Sequence, residues 1–133
     1  MKKQIIAHIE CNKAGFFSVY TNDNLPFGLF GEGRSAELAK KDFISVFEAM
    51  CKNHESHTGE RIEADINFVY DTSALLQEYK NIISFVALSK VTGINKAQLS
   101  QYACGNRHPK PEQRRRIIEG IHSIGKECMS VAL

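Results

Sequence analysis

The spacing of apolar residues changes near residue 70, and that change limits the folds open to this chain more than any other feature. Up to Tyr70, short runs alternate apolar and polar residues around one longer amphipathic segment, a pattern typical of strands that flank a helix. Beyond Tyr70, apolar residues recur every three or four positions, which is the period of amphipathic helices. A length of 133 residues has room for two small domains. We therefore predict an α+β domain over residues 1–70 and an all-α domain over 71–133.

The first part of the α+β domain reads as a hairpin. Residues 5–11 alternate apolar and polar side chains, and the turn-forming letters NKAG separate them from a second run at 16–21. The segment 21–35 contains asparagine, aspartate, proline and three glycines. Such residues interrupt helices and strands, so we predict a long turn with at most a short strand around Gly28 to Phe30.

A helix and a last strand complete this domain. Ser35 is suited to cap the helix, because its hydroxyl can accept a hydrogen bond from a free backbone N–H of the first turn. We expect the helix to end within residues 52–60, where polar residues interrupt the apolar repeat. A strand should follow at 64–70. The predicted order is β-β-(β)-α-β, an α+β sandwich.

The second domain should contain four short helices. Capping residues and the proline mark their starts at Asp71, Ser84, Asn95 and Pro111. We expect Gly125 to end the last helix and the tail, Cys128 to Leu133, to form a short strand.

Charge is distributed unevenly between the two halves. Residues 1–70 carry 8 Lys/Arg against 10 Asp/Glu, whereas residues 71–133 carry 9 against 5. Within 80–116 the count is 8 against 1, a net charge of +7. This asymmetry indicates that the second half binds a polyanion and that the first half has another task.

Gly93 stands between two of the predicted helices and is suited to a sharp bend. A helix-turn-helix joins two helices at about 90–120° through a short turn that often contains glycine. Glycine reaches the positive φ angles that such turns require. With the bend at Gly93, we expect Leu88 and Leu99 to face inward, with Tyr102 one turn further on the same face.

This arrangement predicts a DNA-reading surface on the helix that Asn95 caps. Lys96 is suited to guanine, Gln101 to a bidentate pair with adenine and Ala97 to contact with a thymine methyl group. Arg107 and Lys110 should lie against the sugar-phosphate backbone, where contacts fix register rather than sequence. The predicted DNA-binding set is Ser84, Asn95, Lys96, Ala97, Ser100, Gln101, Asn106, Arg107 and Lys110.

Each of these residues also has a plainer interpretation. Gly93 can simply end a helix, and Lys96 and Gln101 can be solvated side chains. For the run Arg114 to Arg116 we favour exposure to water, since charge runs on helices usually face solvent. It is the agreement of spacing, glycine, cap and local charge that favours DNA binding.

The sequence favours no metal, cofactor or catalytic site. The four cysteines lie far apart without a C-x-x-C pair, so we expect small buried thiols, and His54 with His57 lacks further ligands at metal-binding spacing. A nuclease would need clustered carboxylates, and the chain offers only scattered ones, namely Glu10, Asp23, Asp65 and Asp71. No apolar run approaches the length of a membrane span, and we expect a cytoplasmic protein that is not an enzyme.

Two stretches resemble known families. The letters FVALSKVTGINKAQLSQYACGNRHPKPEQRRRIIEGI resemble the Cro/repressor class of helix-turn-helix domains, in which a G-x-x-x-P element, here Gly105 to Pro109, closes the recognition helix. The letters LPFGLFGEGRSAELAKKDF resemble the HicB antitoxin family, whose G-x-[ST]-x-x-E-A helix start is matched in part by Gly33 to Ala39. The match departs at Thr92, where an apolar residue is usual, and at Phe85, where a polar phosphate contact is common.

The resemblance implies a partial RNase H-like α+β domain without nuclease activity, joined to a DNA-binding domain of the lambda-repressor type. It implies a homodimer that binds a palindromic operator in double-stranded DNA and represses its own operon. It also implies a small basic toxin ribonuclease as a partner that the first domain would neutralise. Two alternatives stay open: a module that serves mainly to bind a toxin, and an orphan regulator without a cognate toxin.

Overall fold

The computed structural model describes residues 2–132, which form an α+β fold of four strands and five helices. The strands are β1 (Lys3–Cys11), β2 (Phe17–Thr21), β3 (Phe30–Gly33) and β4 (Ala64–Tyr70). The helices are α1 (Ala36–Thr58), α2 (Thr72–Tyr79), α3 (Phe85–Thr92), α4 (Lys96–Ala103) and α5 (Pro111–Met129). In the part of the chain that is described, none of these helices combines the length and the apolar character that a membrane crossing needs.

The four strands form one sheet in the order β3-β2-β1-β4. β1 pairs antiparallel with β2 and parallel with β4, so the predicted hairpin and last strand are confirmed. The third strand occupies Phe30–Gly33 rather than the predicted stretch from Gly28 to Phe30. The strand lies at this position because it packs directly against α1. A Cβ built on Gly31 would lie 2.6 Å from the backbone nitrogen of Phe43 in that helix. Only a residue without a side chain lets the strand approach the helix so closely.

Helix α1 covers one face of the sheet and ends within the predicted stretch, residues 52–60. It is capped by Ser35, whose hydroxyl accepts a hydrogen bond from the N–H of Leu38, as expected. The helix continues through the polar stretch after residue 52 and ends at Thr58. The helix ends there because of Gly59, which takes φ +76° and donates its N–H to the carbonyl of Glu55. Polar residues do not end a helix whose outer face is solvated, whereas a left-handed glycine does.

Helices α2 to α5 pack around a second core, and their four predicted starts are confirmed. The predicted end of α5 at Gly125 is wrong. Among the described residues only four glycines have positive φ, and Gly125 is not one of them, so the helix runs through it to Met129. The predicted strand in the tail is wrong as well, because Cys128 and Met129 are helical; Leu133 lies outside the described residues.

Helix α2 links the two cores. Ala74 is buried in the core beneath the sheet, whereas Leu76 is buried in the helical core. At the start of α2 the N–H of Asp71 donates to the carbonyl of Ile9, and the Ser73 hydroxyl accepts from the N–H of Cys11 at 3.1 Å. The two halves are therefore joined by the buried first half of α2, by one backbone hydrogen bond and by one hydrogen bond from backbone to side chain, in addition to the covalent connection.

The arginine run of α5 also joins the halves, which corrects the expectation that it faces water. Arg115 is exposed, but Arg114 and Arg116 are half-buried. The Arg114 guanidinium donates to the carbonyl of Tyr70 and, at 2.9 Å, to the hydroxyl of Thr72. A guanidinium can satisfy several carbonyls at once, which explains why an arginine stands at this junction.

Candidate nucleic-acid interface

Helices α3 and α4 are joined by a turn of three residues, Gly93 to Asn95. Gly93 takes φ +74° and donates its N–H to the carbonyl of Ser89, which ends α3. A residue with a side chain is strained at this φ angle, so the bend explains the glycine. Leu88, Leu99 and Tyr102 are buried in the core between the two helices, as predicted.

The polar residue at Thr92 is accommodated inside this turn. Its hydroxyl donates to the carbonyl of Leu88 at 2.7 Å and accepts from the N–H of Ile94 at 3.1 Å. The carbonyl of Thr92 accepts a hydrogen bond from the Arg116 guanidinium. A buried hydroxyl is tolerated when both of its roles are filled, so the departure from the usual apolar residue leaves the turn intact. Arg116 is a support for this turn that the sequence pattern did not identify.

The outer face of α4 presents the predicted reading residues to solvent. Asn95 caps the helix, and its side-chain oxygen accepts from the N–H of Ala97 at 2.7 Å. Lys96, Ala97, Ser100 and Gln101 are all exposed, while the opposite face of the helix is buried. The first turn of α4 thus combines a positive dipole end with an exposed cation.

The loop after α4 is held by its own backbone. Gly105 takes φ +75°, and the N–H groups of Asn106 and Arg107 both point to the carbonyl of Gln101. Asn106, Arg107 and Lys110 are exposed. Ser84, the remaining predicted residue, is exposed at the start of α3, where its hydroxyl accepts from the N–H of Ala87.

Within the described residues, the cations of this surface have no intramolecular counter-charges. Within residues 2–132, no hydrogen bond or ion pair engages the side chains of Lys96, Arg107 or Lys110. A shallow cavity of about 310 Å³ lies between α4 and the start of α5. It is lined by Gln98, Tyr102, Arg107, His108, Lys110 and Gln113. Such a cavity offers an anion several donors.

His108 and Gln98 are residues of this surface that the sequence reasoning missed. His108 lies between Arg107 and Lys110, so its position in the basic loop could have identified it as part of this surface. Gln98 is half-buried and donates to the Tyr102 hydroxyl at 2.8 Å, a contact that depends on how α4 packs and that no sequence signal marks.

Within residues 2–132, the acidic residues considered for catalysis do not gather in one cluster, although Glu10 and Asp71 both lie near Tyr20. Asp65 pairs in register with Gln4, whereas Glu10 lies six residues further along β1, roughly 20 Å away. Asp23 accepts hydrogen bonds from the N–H of Ile6 and from Thr21, so it stabilises the end of the hairpin. Asp71 accepts from the Ser73 hydroxyl at the start of α2.

A second exposed surface lies on the face of the sheet opposite α1. One register row crosses all four strands and contains Phe30, Tyr20, His8 and Val69. Phe30 is 52% and Val69 is 40% exposed, and the rings of His8 and Tyr20 stack with centroids 5.3 Å apart. We call this row the sheet-face row.

Acidic residues lie beside the sheet-face row. Glu10 and Glu32 flank Ser18 in the next register row. Burial raises the pKa of the Tyr20 phenol above its usual range, and the charges of Glu10 and Asp71 raise it further. The face is therefore apolar in its middle and acidic at one side.

Comparisons of this chain with models of protein families, with curated proteins and with solved structures find no match.

Proposed function

We propose that this chain is a sequence-specific DNA-binding regulator that represses its own transcription. In this proposal residues 71–133 are a helix-turn-helix domain of the lambda-repressor type, with α4 as the recognition helix in the major groove. Residues 1–70 are a HicB-like domain of partial RNase H-like fold. The chain acts as a homodimer on a palindromic operator, since one short helix buries too little surface for tight specific binding.

One observation carries this proposal. The bend at Gly93 leaves Lys96 and Gln101 exposed on α4, and the cations Arg107 and Lys110 lie exposed in the loop that follows. Base-reading side chains on a helix with phosphate-binding cations beside it are the two kinds of contact that a DNA-binding protein needs.

The decisive experiment is a binding titration on the DNA upstream of the protein's own gene. We expect preference for that DNA over a shuffled duplex of equal length. The affinity should fall roughly 100-fold between 50 and 200 mM salt if about four phosphates are neutralised, because each contact releases counterions. Equal affinity for both duplexes at moderate salt would reject specific regulation at that site.

The sheet-face row favours a second function beside the first. An apolar centre with carboxylates at its side suits a basic protein partner, because complementary charge steers association and the apolar contact holds it. If residues 1–70 are a HicB-like domain, this partner is a small basic toxin ribonuclease, which the first domain would neutralise. Without such a partner the chain is an orphan regulator.

Replacing Val69 by lysine tests this second function. The protein to mix with it is a small basic protein encoded beside this gene. V69K should weaken that complex at least about tenfold, because it adds a positive charge to a face that binds a positive partner. Ala49→Lys is the matched control, since Ala49 is exposed on α1, away from this face. Equal binding by both variants in calorimetry would place the partner elsewhere.

A further inference from the structure

Two of the four cysteines line the same cavity, one from each half of the chain. Cys11 is the last residue of β1, and Cys104 directly follows α4. Both line a cavity of about 610 Å³ between the end of β1 and the loop after α4. The exposed residues Asn12 and Asn106 also line it, so the cavity opens to solvent. Two thiols from separate halves therefore share one place that a small molecule can enter.

The backbone brings these two cysteine residues together. A Cβ built on Gly105, the neighbour of Cys104, would lie 3.4 Å from the carbonyl oxygen of Cys11, an ordinary contact distance. The loop after α4 therefore packs directly on the end of β1, and Cys104 lies next to the point of contact.

Helix α2 holds both cysteines in place. Near its start, the Ser73 hydroxyl accepts a hydrogen bond from the N–H of Cys11 at 3.1 Å. Near its end, the Gln77 amide donates to the carbonyl of Ala103 at 2.9 Å, which fixes the residue before Cys104. Because one helix makes both contacts, the fold itself sets the separation of the two thiols.

The electrostatics of Cys11 agree with this proximity. Burial raises the pKa of the Cys11 thiol, the charge of Lys80 lowers it, and a negative charge on Cys104 raises it. A Coulomb interaction falls with distance, so Cys104 acts on Cys11 as a near neighbour. Cys104 is half-buried whereas Cys11 is buried, so an oxidant meets Cys104 more readily.

The other two cysteines lie elsewhere. Cys51 is half-buried in α1, and Cys128 is exposed in α5, so the expectation of buried thiols is wrong for Cys128. In the described part of the chain, neither of them lines the cavity of Cys11.

We propose that Cys11 and Cys104 form an oxidation site, at which a hydroperoxide converts the two thiols into a disulfide that fastens the loop after α4 to β1. Disulfides in reducing compartments are usually transient and redox-sensing. The thiols that form them are accessible and lie next to a second, resolving thiol. Cys104 meets both conditions, with Cys11 as the resolving thiol.

The reaction has two steps. The Cys104 sulfur attacks the hydroperoxide and the O–O bond breaks, which yields a sulfenic acid and an alcohol, or water when the oxidant is hydrogen peroxide. The Cys11 sulfur then attacks the sulfenic sulfur: the S–S bond forms, the S–O bond breaks, and the hydroxyl group leaves as water with the proton of Cys11. The two thiols lose two electrons and the peroxide gains them. A thiol reductant reverses the change.

The bond should displace the basic loop. Disulfide sulfurs lie about 2.05 Å apart, closer than two free thiols approach. β1 is paired on both sides in the sheet, so the loop with Asn106 and Arg107 has to move toward it. The linked chain should bind the operator at least about tenfold more weakly, which is the effect of one lost charged hydrogen bond. This consequence, unlike the disulfide itself, rests on the proposed function.

The test is a peptide map of the full chain after exposure to hydrogen peroxide. The remaining thiols are alkylated, and the protein is digested with trypsin without reductant. Peptides 4–13 and 97–107, which contain Cys11 and Cys104, should appear as one species, lighter by two hydrogens than their sum. Dithiothreitol should separate them. Cys51→Ser is the matched control, because it removes a half-buried thiol outside the cavity and should leave the linked species unchanged.

Two variants separate the steps of the reaction. Cys104→Ser should abolish the linked species, and operator binding by this variant should no longer respond to peroxide. Cys11→Ala lacks the resolving thiol, so a sulfenic acid should persist at Cys104 and be captured by dimedone. Cys104→Ser exchanges atoms of similar size at a half-buried position, so it decides the test even if the buried substitution at Cys11 prevents folding.

The outcomes keep this inference apart from the proposed function. Oxidised protein without the linked species, links formed mainly through Cys128, or oxidation of Cys104 to a sulfinic acid while Cys11 stays free would overturn the inference. A linked chain that binds the operator as tightly as the reduced chain would overturn the displacement of the loop. If the reduced chain has no preference for its own upstream DNA, the proposed function fails, and the peptide map still decides whether the disulfide forms.

Discussion

Replacing Gln101 by alanine should abolish most of the preference for the operator while leaving non-specific binding nearly unchanged. A good bidentate contact to a base contributes about 1–3 kcal/mol of discrimination, so the ratio of affinities for operator and shuffled DNA should fall roughly 5- to 150-fold. The fold should be unaffected, since Gln101 is exposed and its backbone contacts do not involve the side chain. Fluorescence anisotropy with the two duplexes measures this ratio.

Lys110→Ala provides the contrast for that experiment. A phosphate contact carries no sequence information, so this variant should weaken binding to both duplexes equally and lower the salt dependence by about one counterion. Lys126→Ala removes an exposed cation from the far end of α5 and should change neither quantity. If Gln101→Ala and Lys110→Ala behave alike, α4 is not the reading helix.

Gly31→Ala should be the most damaging small substitution in the first half of the chain. The added Cβ would lie 2.6 to 2.7 Å from the backbone nitrogen, Cα and Cβ of Phe43, distances that real contacts do not reach. Because the obstacle is helix backbone, the whole of α1 must move off the sheet. Overpacking of this kind costs about 2–3 kcal/mol, which lowers the melting temperature on the order of 10 °C.

Gly28→Ala is the matched control. Gly28 lies just before β3, but a Cβ there has no heavy atom within 4 Å, and its φ is not positive. Its unfolding curve should stay close to the wild type in urea or on heating. A stability loss shared by the two variants would show that the contact with α1 does not explain the glycine at position 31.

Several elements followed from local signals in the sequence. The hairpin, the start of each helix and the bend at Gly93 were predicted, because periodicity, capping residues and positive-φ glycines act within a few residues. The inward direction of Leu88 and Leu99 followed from the same local geometry. The end of α5 was missed, since Gly125 was taken as a stop although its φ angle is not positive.

What the sequence determined by itself was the order of the elements from β1 to α5 and the exposed, basic character of the segment around α4. The tertiary structure alone decided which remote atoms meet: Gly31 beneath α1, Arg114 on the carbonyl of Tyr70, and Gly120 against α3. It also left the sheet-face row exposed. The physical reason is that periods and caps are properties of neighbours along the chain, whereas close approach, buried hydrogen bonds and leftover apolar faces arise only when the elements pack together.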